Sequence, residues 1–186
     1  MRKENEMKTL YKRFLRGERA AIAEFAEAYR AGLVLFINGF VRDYTVAEDL
    51  AGEAFATLII KKPKLKNEEY LKTYLFTTAK NTALSWLRKH KRELPLVEEI
   101  AVAVDSDIEE KLLLSEERKI ILRAVDGLVE AYRTVLILRY WDELTPTQIA
   151  RVLKKSKKQV YNLLQRAKEA LKNALQKEGF VYEIDE

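Results

Sequence analysis

The chain has 186 residues, 48% of them hydrophobic and 34% charged, with a formal net charge of +5; such a composition folds rather than staying disordered. It contains no cysteine and a single histidine, His90, which excludes disulfides, thiolate nucleophiles, iron–sulfur clusters and multi-histidine metal sites. Only six glycines and three prolines occur, against an abundance of Ala, Leu, Glu, Lys and Arg, so an all-α protein is expected.

The opening stretch MRKENEMKTLYKRF has no apolar leader core, and no apolar run approaches the roughly 18 residues of a membrane helix. A cytoplasmic protein, not embedded in a membrane, is the expectation. Residues 4–42 carry apolar side chains at helical spacing, among them Leu10, Phe14, Phe25, Tyr29, Leu33, Phe36, Ile37 and Phe40; they predict one or two helices, with a break at Gly17. Thr45 to Glu48 has the capping-box pattern and predicts a helix from about 46 to 60. The basic, proline-punctuated stretch Lys61 to Asn67 predicts a loop, and a long helix is expected over about 68–92.

Helical periodicity then lapses. Residues 93–108 hold Pro95, an alternating Ile100–Val104 run and an acidic cluster, and read as a linker. Ser106 and Glu109 form another capping-box pattern, and helices are expected at roughly 109–127 and 129–142. The predicted architecture is two small helical bundles, 1–92 and 109–178, joined by the acidic linker 93–108, with a short tail at 179–186.

Charge follows the same partition. From Ile59 to Arg92 ten Lys/Arg face two Glu, a balance of +8; from Thr145 to Lys177 nine Lys/Arg face one Glu, again +8. Between them, Glu93 to Glu117 holds nine Asp/Glu against Lys111, a balance of −8. Two basic blocks around an acidic stretch suggest two surfaces for polyanions, joined by a segment that avoids them.

Thr145-Pro146-Thr147-Gln148 combines an N-cap, proline at the first helical position and Gln at the third. Lys154-Lys155 is the turn, and Ser156 to Gln159 is a second capping box that opens a helix to about Gln176. Two capped helices across so short a turn are expected to cross steeply as a helix-turn-helix. On the second, Val160, Leu164, Ala167 and Leu171 mark the core side. Lys158, Tyr161, Asn162 and Gln165 mark another, with the amide and basic groups that bond base edges and phosphates. An ordinary helical hairpin with a lysine-rich surface is the plainer alternative.

On the helix 68–92, Thr73, Thr77, Lys80, Asn81, Leu84 and Arg88 share a side, while Leu71, Leu75, Ala79 and Trp86 point elsewhere. A cationic polar stripe beside a basic loop suits a nucleic-acid backbone, with Asn81 available to a base edge and Tyr70 or Tyr74 to stacking; taken singly, each tyrosine reads better as a core residue at helical spacing. Glu48, Asp49 and Glu53 lie early in the helix 46–60, where the helix dipole alone accounts for carboxylates.

With these motifs assembled, the chain resembles a bacterial RNA polymerase sigma factor of the extracytoplasmic-function (ECF) group of the sigma-70 family. AEDLAGEAFATL (47–58) resembles the region-two helix that grips the clamp helices of the polymerase β′ subunit. LKTYLFTTAKNTALSWLRKHKR (71–92) resembles the region-two promoter helix, although Tyr74 stands where tryptophan is usual and Ser85 where aspartate is. The stretch 128–172 resembles region four, which binds the −35 element and the β-flap tip.

The resemblance implies polymerase contacts at Glu48, Asp49, Leu50 and Glu53. It implies −10 DNA contacts at Lys64, Lys66, Asn67, Tyr74, Thr77, Lys80, Asn81 and Arg88, with Asn81 beside a flipped-out base. It places −35 contacts at Lys155, Lys157, Lys158, Gln159, Tyr161, Asn162, Gln165 and Arg166. The implied function is a promoter-specificity subunit that brings core polymerase to promoter DNA and helps to open it. The partners are that polymerase, the DNA and an anti-sigma factor. No small-molecule substrate, cofactor, metal or catalytic residue is implied. The alternative is a stand-alone dimeric helix-turn-helix regulator, which leaves the block 59–92 without a role; an enzyme is disfavoured because no phosphate loop or nucleophile–base pair accompanies the carboxylates.

Overall fold

A computed structural model of the chain describes residue 10 and residues 12–63, 65, 69–90 and 115–177. The described residues form helices and connecting turns, with no strand among them. A short helical segment ends at Gly17, whose φ of 78° stops the helix at the expected break. The first long helix, α1 (Arg19–Val41), follows. The second, α2 (Tyr44–Lys61), begins two residues before the expected point. Its cap is Asp43, whose carboxylate accepts from the Val46 N–H at 3.0 Å. Asp43 has the extended backbone an N-cap needs, whereas Thr45 is already inside the helix, so the expected Thr45–Glu48 box does not form.

Helix α3 (Glu69–His90) completes a three-helix first lobe with α1 and α2. Its core is aromatic. Phe36 meets Phe40 and Phe76 edge-on at 5.2 and 5.3 Å, and Phe25 packs on Tyr29 and Phe55 at 4.7 and 6.1 Å. Each such ring, fully buried, contributes about 2 kcal/mol.

The acidic linker, the tail and the Ser106–Glu109 pattern lie outside the described residues. The second lobe starts with α4 (Glu116–Asp126), which stops at Gly127, and continues into α5 (Glu130–Leu136). The helix expected to run to 142 changes character at its end: Ile137–Trp141 is a π-helical turn. The Asp142 N–H reaches back to the Ile137 carbonyl at 3.1 Å, and that of Leu144 to Leu138 at 2.8 Å. This widened turn sends the Asp142 side chain inward, where the residue is buried.

The helix-turn-helix is as expected. Helix α6 (Pro146–Leu153) opens on a complete capping box between Thr145 and Gln148, and closes at Lys154 in the left-handed conformation. Helix α7 (Lys157–Lys177) follows, and Ser156 and Gln159 exchange bonds of 3.2 and 2.8 Å at its start. Val160, Leu164 and Ala167 are buried, and Leu171 packs against the core.

The two lobes pack against each other. Helix α1 lies between α2 and α3 on one side and α5 with its π turn on the other, which is why Leu33 to Ile37 are all buried rather than one face of them. Arg42 and Asp126 form a two-point ion pair across the junction, its longer contact 3.0 Å. Buried Arg133 donates to the carbonyls of Asp126, Leu128 and Gly39. From α3, Lys72 donates to the Asp142 carbonyl at 2.8 Å.

Candidate nucleic-acid interface

Helices α2 and α3 diverge to leave a cleft of about 580 Å³. Leu50, Glu53 and Lys61 form one wall; Tyr74, Thr77, Asn81 and Trp86 belong to the other. Asn81 is exposed, with its amide available. At the end of the cleft Trp86 and His90 stack at 4.2 Å with ring planes 20° apart, and the His90 Nδ1 is 2.9 Å from the Trp86 carbonyl oxygen. The Thr77 hydroxyl donates to the Thr73 carbonyl at 2.6 Å, which leaves its oxygen free to accept. An open slot with an amide, hydroxyls and planar rings, and lysines at Lys61 and Lys89, has the chemistry to hold a base and attract its phosphates.

The expected residues divide in an unexpected way. Leu50 and Glu53, assigned to polymerase, line the same cleft as Tyr74, Thr77 and Asn81, assigned to DNA. Leu50 is buried, and Glu48 is held by Arg30 at 3.0 Å, whereas Asp49 is exposed. Arg88 is exposed beyond the cleft lining. Lys80 points the other way and donates to the carbonyls of Leu153 and Val152 at 3.3 and 3.5 Å, at the end of α6. Burial there, reinforced by Lys154 and Lys155, pushes its pKa down. Thr73, expected on the polar stripe, is buried, and Trp86, expected to point elsewhere, lines the cleft. Lys64, Lys66 and Asn67 lie outside the described residues.

On the second lobe, Lys155, Lys157, Lys158, Gln159, Tyr161, Asn162, Gln165 and Arg166 are all exposed. They give a continuous basic and amide surface at the N-terminal half of α7, whose dipole adds to the attraction for phosphate. Tyr161, 51% exposed, carries the Lys157 ammonium 5.9 Å from its ring centre. Gln159 has a second duty: its side-chain oxygen accepts from the Ser156 N–H at 2.8 Å, which leaves its NH2 end for other partners.

Sequence reading missed an apolar groove of about 700 Å³ on the same lobe, bounded by Ile121, Leu122, Leu136, Tyr140, Trp141 and Leu171. Tyr140, exposed beside the partly exposed Trp141 in the π turn, was its one visible signal.

A polar cleft on one lobe and a capped helix-turn-helix with exposed basic and amide groups on the other point to a class of protein, and comparison with known proteins identifies it. The sigma-70 region 2 family matches residues 25–93, and sigma-70 region 4 matches residues 118–171. The chain is 26% identical over 180 residues to the ECF RNA polymerase sigma factor SigW of Bacillus subtilis, covering 91% of this chain and 96% of that one. It is likewise 26% identical over 178 residues to the ECF RNA polymerase sigma-E factor of Escherichia coli K12, covering 90% and 93%.

Two solved structures share the fold. The sigma factor RpoE from Bartonella quintana, in complex with the anti-sigma factor NepR, superposes with a TM-score of 0.65 at 19% identity, over 83% of this chain and 96% of that one. CnrH, in complex with the cytosolic domain of CnrY, gives 0.61 at 18% identity, over 91% and 97%. The chain belongs to the sigma-70 family of RNA polymerase sigma factors, in its ECF group. It is a promoter-specificity subunit of RNA polymerase.

Proposed function

We propose that the two surfaces divide promoter recognition between them. The α2–α3 cleft takes a base extruded from the −10 element, with Asn81 on its edge, Trp86 and Tyr74 beside it, and Lys64, Lys66, Asn67, Thr77 and Arg88 toward the strand. Extrusion costs a few kcal/mol, which the cleft must return. Helix α7 enters the major groove at the −35 element. Exposed Asp49, with Glu53, meets the β′ clamp helices, and the apolar groove of the second lobe takes the β-flap tip. Each surface alone binds weakly; tethering both to polymerase raises their effective concentration. The chain contributes no catalytic step, since polymerase supplies the chemistry.

The lobes correspond to units 1–92 and 109–178, with 93–108 as a DNA-repelling linker and 179–186 as a tail. An anti-sigma factor is a further partner, as RpoE and CnrH were each solved with a bound protein; a cytoplasmic location follows from these partners. The observation that carries this reading is the presence, on two lobes of one chain, of a polar cleft lined by Asn81, Tyr74 and Trp86 and of a helix-turn-helix whose second helix exposes basic and amide groups. Its test is capture of bacterial core polymerase by the purified protein, followed by run-off transcription from a fragment library. Polymerase-dependent transcripts from a shared upstream motif are expected. A protein that ignores polymerase and binds an inverted repeat as a symmetric dimer overturns the reading.

A further inference from the structure

The junction between the lobes contains a carboxylate in an unusual place. Asp142 is 6% exposed, and its Oδ2 has no hydrogen-bond partner. It presses onto Gly32 of α1 so closely that a methyl group there would lie 1.9 Å from Oδ1. Gly32 and Gly39, seven residues and so about two turns apart on α1, are where the Asp142 and Arg133 side chains of the second lobe lie against the helix. Among the described residues, few groups face Asp142. Lys72 of α3 bonds its backbone oxygen; Tyr29 of α1, buried and with its pKa pushed up, lies within its field; Glu143 follows it in the chain.

We infer that the lobes of the free chain are held shut by a proton-dependent latch, in which the Asp142 carboxyl sits on Gly32 in the closed form and is released to water when the lobes part. The closed form sets the two DNA elements against each other: Lys80 of α3 holds the end of α6, and the Arg151 guanidinium lies 4.5 Å from the centre of the Tyr70 ring. The −35 and −10 positions are about 25 base pairs apart, roughly 85 Å of duplex at 3.4 Å each. Lobes in contact through α3 and α6 cannot reach both. The 24 residues between His90 and Ser115 have a maximum span of about 80 Å, so parted lobes reach much farther.

The direction of the pH effect follows from burial. In the closed form desolvation pushes the Asp142 pKa up to about 7, with Lys72 pulling the other way; in the open form an exposed aspartate titrates near its ordinary ~4. The closed form therefore binds a proton that the open form lacks between about pH 4 and 7. Raising the pH through this window favours opening, up to about tenfold per unit, and the effect levels off above about 7.

The chain has no cysteine, so Ala20→Cys and Asn173→Cys, both at exposed positions, place one label on each lobe of the full-length protein for distance measurement by energy transfer. From pH 5.5 to 7.5 the open-to-closed ratio is expected to rise roughly twentyfold. Asp142→Asn, which keeps the shape without the charge, is expected to stay closed at both pH values. Gly32→Ala, which favours the helix while filling the seat, is expected to stay open at both. An unchanged distance between the two pH values, a pH response retained in Asp142→Asn, or a closed Gly32→Ala each overturns the latch. Retention of the response in Asp142→Asn would assign it to a different group. The consequence for promoter access rests on the proposed function, but the distance measurement does not, so failure of one is distinguishable from failure of the other.

Discussion

Asn81 is a polar side chain that the bundle does not need. It is exposed on α3 and lines the cleft, so its removal leaves the core intact. Asn81→Ala is expected to change thermal stability by less than about 0.5 kcal/mol. It is expected to slow promoter opening tenfold or more, the equivalent of about one charge-free hydrogen bond, with duplex affinity nearly unchanged. Permanganate footprinting of the melted region, set beside duplex binding, measures the two; equal losses in both assays remove the pocket role. Lys158, exposed on α7, makes a different prediction. Lys158→Ala is expected to weaken binding to all −35 sequences alike and to lower the salt slope of log K by about 1. Titrations at several salt concentrations with matched and mismatched duplexes separate this from a loss of base preference.

At the scale of elements, the helix-turn-helix depends on local chemistry at its entrances. The Thr145 hydroxyl accepts from the Gln148 N–H at 3.3 Å, and the Gln148 side-chain oxygen accepts from the Thr145 N–H at 2.7 Å. Thr145→Ala is expected to cost about 1 kcal/mol, seen as a lower denaturant midpoint with an unchanged m-value, and to weaken −35 binding because α6 no longer supports α7. These caps were legible in the sequence because a capping box involves residues only three apart. The start of α2 was misread for a related reason: Asp43 and Thr45 are both good caps, and sequence spacing does not say which adopts the extended backbone. The π turn at Ile137–Trp141 carries no capping or periodicity signal, so the sequence pattern reads there as an ordinary helix to 142.

At the scale of the whole molecule, the lobes are joined by separate polar contacts. The Arg42–Asp126 pair is partly buried, with side-chain exposures of 24% and 11%. Arg42→Ala is expected to weaken the closed form by roughly 1–3 kcal/mol, a range lowered for partial exposure and for the Arg133 guanidinium that stays 4.0 Å from Asp126. In the distance measurement it is expected to shift the populations toward open at every pH while leaving the pH slope intact, because Asp142 is untouched. A flattened slope in this variant would mean that the two contacts act as one unit.

The sequence by itself determined the helical class, the two basic blocks, the helix-turn-helix with its buried and exposed sides, and the family. All of these rest on residues near one another in the chain, where periodicity, capping and charge act directly. The tertiary structure decided the rest. Val34 and Leu35 are buried because a second lobe covers the far side of α1, and Lys80 turns away from the cleft because α6 offers it unpaired carbonyls. Gly32 looks like an ordinary weak point of a helix until Asp142, 110 residues later, is found seated on it. Such contacts depend on surfaces brought together by folding, which no local pattern records.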